Sequence, residues 1–250
     1  MSLLRLTNVS RVFGKVIALQ GIELEMEIGR VYAVIGPNGA GKTTLFNLIS
    51  GFFPASTGEI WFDGQQINRV AAADRVALGL VRTFQITEIF HELSVFENVR
   101  VGVEAEARYS PRPWPNRGRT RQVNERVGEL LETTGLTELA DRTVSELPHG
   151  DQRVVEVTMA LSRRPKLLLL DEPTAGMGKA ETEHMVKLIR DLHVRHNQSI
   201  LFIEHDMDLV FSIADRITVL NYGKILATGT PREVADNAQV QAAYLGEEAA

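Results

Sequence analysis

The sequence predicts an α/β fold, with a mixed sheet in its core, an antiparallel β region at the N-terminus and an inserted α-helical subdomain. Three observations carry this expectation. VYAVI (31–35), LLLL (167–170) and SILFI (199–203) are short, continuous apolar runs, as expected of strands covered on both faces in a parallel sheet. Residues 22–28 instead alternate Ile22, Leu24, Met26 and Ile28 with Glu23, Glu25 and Glu27, the period of a strand with one wet face. From Val95 to Leu147 the pattern turns mostly helical.

Taken in order, the alternating segment marks a half-exposed antiparallel sheet near the start, and VYAVI opens the buried core. Helices are expected after and between the apolar runs, over Thr43–Ser50, Gln152–Arg163, Ala180–His196 and Asp208–Asp215. In Gln152–Arg163 the positions Val154, Val157, Thr158 and Leu161 fall on one stripe, which gives that helix a face to bury. The helical subdomain, residues 88–150, is entered through Ser94 and Glu97, spaced as a capping box. It interrupts a core lobe made of residues 1–87 and 151–250. Within it, RYSPRPWPNRGRTR (108–121) is rich in Pro and Arg and has no acid. That stretch reads either as a solvated loop or as a surface facing anionic lipid heads or a partner. Thr230, Pro231 and Glu233 give a capped start to a short helix near the end.

Composition narrows the function classes. Lys and Arg number 27 against 32 Asp and Glu, a net charge of −5, which gives no general electrostatic reason to hold nucleic acid. The chain has no cysteine, so neither a disulfide framework nor a thiolate metal site can form. The N-terminus lacks a basic stretch followed by a long apolar one, and no run approaches the ~20 apolar residues needed to span a bilayer. A membrane role is therefore expected to run through a partner.

Residues 36–44, GPNGAGKTT, form a complete G-x-x-x-x-G-K-[ST] loop between an expected strand and an expected helix. Across Gly36, Pro37, Asn38, Gly39, Ala40 and Gly41 the glycines let the backbone turn its N–H groups inward around phosphate oxygens, with Thr44 following in the first helical turn. The helix N-terminus adds positive potential, Lys42 reaches the terminal phosphates and the Thr43 hydroxyl can ligate Mg²⁺. LLLLDEP then supplies a buried strand ending in Asp171 and Glu172. Carboxylates at that end face the same crevice, where Asp171 can hold Mg²⁺ through water and Glu172 can orient or deprotonate an attacking water. Acids at the end of so apolar a run need a compensating cation. The next apolar strand ends in Glu204 and His205, which puts His205 beside the same crevice, in reach of a γ-phosphate or the attacking water. His184, His193 and His196 read as solvated.

In order and spacing these residues resemble the ATP-binding subunits of ABC transporters along nearly the whole chain. The resemblance implies a P-loop ATPase core, a helical subdomain that docks on transmembrane permease subunits, and two cofactors, ATP and Mg²⁺. It makes Phe13 the aromatic for adenine stacking and Gln85 a catalytic and metal-side residue linking the core to the helical subdomain. LPHGD (147–151) becomes the signature, whose Leu147, His149, Gly150 and Asp151 meet a nucleotide carried by a second ATPase subunit, identical or related. His205 becomes the switch histidine. RTFQ (82–85), HGDQR (149–153), the run from Ile203 to Pro231 and QAAYLG (241–246) look like the branched-chain amino-acid uptake group. That group implies an importer fed by an extracytoplasmic solute-binding protein and attached peripherally to the cytoplasmic face of the membrane.

The chain departs from the family pattern at three places: Pro148 replaces the usual signature serine, His149 the following glycine, and Gly178 an aspartate after the catalytic strand. None of them touches Lys42, Asp171, Glu172 or His205, so the signature is expected to work as a variant. An export or lipid-extraction ATPase would look much the same. A soluble ABC ATPase would call for coiled coils, a second ATPase half or a basic surface, and beyond 108–121 the chain offers none of these.

Overall fold

The computed structural model describes residues 2–83, 89–109 and 119–245. Two sheets form the frame. Strands β1 (Ser2–Phe13), β2 (Val16–Glu27), β4 (Thr57–Phe62) and β5 (Gln65–Gln66) make an antiparallel sheet in the order β2-β1-β4-β5. The second sheet has six strands, β3 (Val31–Ile35), β6 (Leu80–Arg82), β7 (Leu167–Asp171), β8 (Ser199–Ile203), β9 (Arg216–Asn221) and β10 (Lys224–Gly229), in the order β10-β9-β3-β8-β7-β6. Its pairs are parallel except β9 with β10, so the sheet is mixed, as the sequence predicts.

The continuous apolar runs follow from what covers each face. Along β3, β7 and β8 successive side chains alternate between two cores. Val31, Ala33, Leu168, Leu170, Ile200 and Phe202 point to one, and Tyr32, Val34, Leu167, Leu169, Leu201 and Ile203 to the other. The first core is closed by the helices α3 (Val95–Tyr109), α4 (Arg119–Thr134), α5 (His149–Leu161), α6 (Lys179–His196) and α7 (Met207–Ile213). The second is closed by the antiparallel sheet and α1 (Lys42–Ser50). With no wet face, no charged position falls inside these strands before Asp171 ends β7.

In β2 the alternation holds: Ile22, Leu24 and Met26 are buried, but Ile28 falls past the strand and is half exposed. The strand is also longer than the alternating segment and begins with exposed Val16 and Ile17. The capping box of α3 is present in both directions, Ser94 N–H to Glu97 Oε2 at 2.9 Å and Glu97 N–H to Ser94 Oγ at 3.2 Å. Thr230 and Glu233 do the same for α8 (Pro231–Ala235). The expected stripe of α5 is buried at Val154, Val157, Thr158 and Leu161. That helix starts at His149, three residues before the expected Gln152. Its first ring closes from Gln152 N–H to Pro148 O at 3.1 Å, because a proline just ahead of the first turn has no N–H to lose there.

Helix α1 is held at its far end by a buried arginine. Arg75, in α2 (Ala72–Ala77), donates to the carbonyls of Leu48 and Ile49 at 2.7 Å each, Val70 at 3.0 Å and Ile67 at 2.6 Å. A cation at a helix C-terminus satisfies carbonyls that lack intrahelical partners and opposes the helix dipole. Burial pushes its guanidinium down to about 10, so it remains charged at neutral pH. Arg75→Ala is expected to destabilise the fold by about 2–4 kcal/mol, because four carbonyls lose a charged donor. Denaturant unfolding checks this, and an unchanged midpoint counts against the clamp.

Candidate functional site

The phosphate loop runs from the end of β3 into α1, and its shape depends on two glycines. Gly36 has φ 148° and Gly41 φ 104°, backbone that favours glycine. A Cβ on Gly36 would run into the carbonyl oxygen of Leu220, and one on Gly41 would lie 2.8 Å from Leu19 Cδ2 and 2.9 Å from Ala18 O. The loop is braced by Gly223 N–H donating to Ala40 O at 3.0 Å and by Ala40 N–H to Pro37 O at 3.1 Å. Lys42 folds back across it, donating to Gly36 O at 2.5 Å and Pro37 O at 3.0 Å. The first intrahelical bond of α1 is Leu45 N–H to Gly41 O at 2.9 Å, so the N–H groups of Thr43 and Thr44 come before it, where a helix N-terminus favours an anion.

A cleft of about 420 Å³ joins this loop, from Asn38 to Thr44, to Glu172, His205 and the start of β2 at Val16 and Ile17. The phosphate loop, Glu172 and His205, far apart in sequence, thus line one cleft. Glu172 Oε1 and His205 Nε2 lie 2.9 Å apart. An ionised carboxylate only accepts, so Nε2 carries the hydrogen while Glu172 is charged. Glu172 has φ 48°, a backbone region costly for a non-glycine residue and one that clusters at functional sites. Its N–H donates to Ile203 O at 3.0 Å, which ties the ends of β7 and β8 together. Glu204 does not join the cleft. It is buried, and its Oε1 accepts from Thr174 N–H at 2.9 Å and Thr174 Oγ1 at 2.5 Å.

Asp171 is 2% exposed at the end of β7. Its Oδ2 is 2.6 Å from the guanidinium of Arg82, the last residue of β6. Its Oδ1 is buried and has no hydrogen-bond partner among the described residues. An orphaned carboxylate oxygen is expensive unless something fills its lone pairs, so Asp171 Oδ1 has the chemistry to accept a hard cation such as Mg²⁺. Arg82 is the cation that the apolar run demanded. It was legible only as a charge at the end of another apolar strand, with nothing to identify its partner.

The remaining candidates are placed less uniformly. Phe13, at the end of β1, is 38% exposed at the rim, with the Arg11 guanidinium 4.4 Å from its ring centroid and Phe53 edge-on at 5.4 Å. It belongs to the hairpin that brings Val16 and Ile17 into the cleft. Gln85 and most of the basic Pro-rich stretch (110–118) lie outside the described residues. His184 and His196 are exposed as expected, whereas His193 is partly buried 3.8 Å from Asp215 Oδ2.

At the signature, Leu147 is buried, with its carbonyl accepting from Gln152 Nε2 at 2.9 Å. His149 is exposed, Asp151 partly exposed, and both sit in the first turn of α5. The first N–H groups of a helix have no intrahelical acceptor, but one of those in α5 is taken within the subunit, because Gly150 N–H donates to Glu181 Oε1 at 3.0 Å. The other oxygen of the same carboxylate accepts Gly178 N–H at 2.9 Å. These two backbone bonds, Gly178's the larger, hold the Glu181 carboxyl below its usual range, with the His149 charge adding to them. Glu181 thus links the loop after β7 to the signature helix. It could not be found from the sequence because its partner lies 31 residues away.

Comparison with known proteins agrees with this geometry. The ABC transporter family matches residues 19–175, and a branched-chain amino acid ATP-binding cassette transporter family matches residues 224–250. The chain is 39% identical over 251 residues to the high-affinity branched-chain amino acid transport ATP-binding protein BraF of Pseudomonas aeruginosa, covering 98% of each. It is 38% identical to the corresponding LivG protein of Escherichia coli K12, again over 98% of each. Among solved structures, the ADP conformation of an ATP-binding cassette of an ABC transporter superposes with a TM-score of 0.87 at 31% identity, covering 98% of this chain and 99% of that one.

Proposed function

We propose the following role for this chain, which belongs to the ATP-binding subunits of ABC transporters: it hydrolyses MgATP to drive import of branched-chain or closely related amino acids through separate permease subunits. The Glu172–His205 pair, 2.9 Å apart in the cleft of the phosphate loop, carries the catalytic half of the reading. Lys42 leaves its loop carbonyls for the terminal phosphates of ATP, and the N–H groups of α1 take the phosphate oxygens. Thr43 and Asp171 would hold Mg²⁺, which would supply neutralisation of the phosphate charge. Glu172 accepts the proton of the attacking water, and His205 turns its Nε2–H from Glu172 toward the γ-phosphate. Phe13 stacks on adenine at the rim, and Gln85 carries the state of the site to the helical subdomain.

A second ATP-binding subunit completes the machine. The signature of each copy, from Leu147 to Asp151, meets the nucleotide in the other, so that ATP closes the pair and hydrolysis opens it. No helix among the described residues is long and apolar enough to cross a membrane. By its likeness to transport ATP-binding proteins the reading places the chain peripherally, on the cytoplasmic face, against permease subunits. The amino-acid assignment rests on the relatives' full-length similarity and on the family match at residues 224–250. Vesicles holding the chain, permease subunits with which it co-purifies and their solute-binding protein test it. Leucine, isoleucine or valine should be taken up with ATP hydrolysis, and hydrolysis that no amino acid stimulates would send the reading back to an export system.

His205→Ala is expected to lower kcat by about 10²-fold or more, the cost of removing one preorganised donor from a developing charge. Affinities for ATP and ADP should change little. Equal losses in both affinities at an unchanged kcat would make His205 a structural residue.

A further inference from the structure

The carboxylate of Asp171 is divided between two surroundings, with Oδ2 paired to Arg82 and Oδ1 without a partner among the described residues. Its side chain is 1% exposed and that of Arg82 is 7% exposed, so neither charge is screened by water to any extent. A buried carboxylate beside a metal site needs a charged partner and must be held still. Arg82 meets both needs at once. One terminal nitrogen reaches Asp171 Oδ2 at 2.6 Å, and the other reaches Asn47 Oδ1 at 2.7 Å and Ser50 Oγ at 3.2 Å. Asn47 and Ser50 belong to α1, the helix that carries Lys42 and Thr43 at its other end. The guanidinium also lies 5.7 Å from the ring centroid of Phe46 in the same helix. A rigid, planar fork therefore spans from the carboxylate on β7 to the helix behind the phosphate loop, a geometry that lysine cannot reproduce.

We propose that Arg82 is a positioning residue for the metal: by holding Asp171 Oδ2 and anchoring it to α1, it fixes Asp171 relative to Thr43 and leaves Oδ1 as the oxygen that faces Mg²⁺. The inference rests on Asp171 and Thr43 being the metal-side residues. Its sign is opposite to that of simple electrostatics. Removing a positive charge near a cation site would by Coulomb attraction alone tighten Mg²⁺, whereas removing the residue that orients a metal-side carboxylate weakens it, by about 10- to 100-fold in metal sites generally.

The test is Mg²⁺ titration of fluorescent ATP-analogue binding, which needs no turnover. It is run on the parent, Arg82→Met, Arg82→Lys and Asp171→Asn, with affinity in EDTA and thermal unfolding measured alongside. Both arginine variants should raise the Mg²⁺ concentration for half-maximal tight binding, Arg82→Met by about tenfold or more, with little change in EDTA. Arg82→Lys keeps the charge without the fork, and it preserves the test if the Met variant is too unstable to purify. An unchanged or lowered Mg²⁺ requirement in folded Arg82 variants overturns the proposal if Asp171→Asn raises that requirement. If Asp171→Asn leaves it unchanged as well, the metal-side reading of Asp171 has failed first and takes this proposal with it.

Discussion

Glu172→Gln is expected to lower steady-state ATP hydrolysis by about 10²- to 10⁴-fold, the range removed with a general base, while nucleotide binding survives. The substitution is unusually clean here. Glutamine fills the same space and tolerates the same backbone conformation about as well as glutamate, and its amide oxygen can still accept the hydrogen of His205 Nε2 across the 2.9 Å contact. What it cannot do is take a proton from water. Because only the chemical step is removed, the ATP-bound state should accumulate as a dimer, visible by light scattering or gel filtration with ATP and absent with ADP. Glu172→Ala differs by releasing His205 as well, so it should lose more of the ATP-specific response. Undiminished hydrolysis by the Gln variant would remove Glu172 from the reaction and leave its pairing with His205 as a structural contact.

How far this site could be read in advance depended on whether its residues signal locally. Lys42, Thr43, Asp171, Glu172 and His205 each sit at the end of an apolar strand or the start of a helix. A strand covered on both faces announces its own end by the first polar residue, so these positions were legible. Val16 and Ile17 were not, because apolar side chains that face a cleft rather than a core break the period-2 pattern of β2. The start of α5 was read three residues late because Pro148 and Gly150 mark a loop by propensity. In this chain the proline precedes the first turn and the glycine is inside it. Arg82 and Glu181 escaped for a common reason. Each acts through a partner on another element, 89 residues away for Arg82 and 31 for Glu181, and no local pattern encodes such a pairing.

The contact at Glu181 changes what a mutation at the signature can prove. A Cβ on Gly150 would lie 2.8 Å from each of Glu181 Cβ, Cγ and Cδ, so glycine is required within a single subunit, before any second nucleotide approaches. An acidic replacement such as Gly150→Asp would also face the Glu181 carboxylate, and its loss of activity would have two explanations. The pair of substitutions Gly150→Ala and Glu181→Ala, singly and together, separates them as a double-mutant cycle. Gly150→Ala should lower the unfolding midpoint through the clash with Glu181 and should eliminate ATP-driven dimerisation, while nucleotide binding by the monomer is kept. Adding Glu181→Ala removes the contacts at Cγ and Cδ and leaves the one at Cβ, so the midpoint should recover in part. Dimerisation and hydrolysis should not, because the added methyl group still keeps the partner's γ-phosphate from the Gly150 N–H. Glu181→Ala alone should dimerise at a lower ATP concentration than the parent, since a carboxylate and a phosphate cannot share one N–H and the competing acid has gone. The measurements are fluorescent-nucleotide binding, dimer formation against ATP concentration, and hydrolysis, all with the permease subunits present. Full recovery of dimerisation in the double variant would mean that Gly150 is glycine only to accommodate Glu181, and that the LPHGDQR segment does not meet the nucleotide of a second subunit.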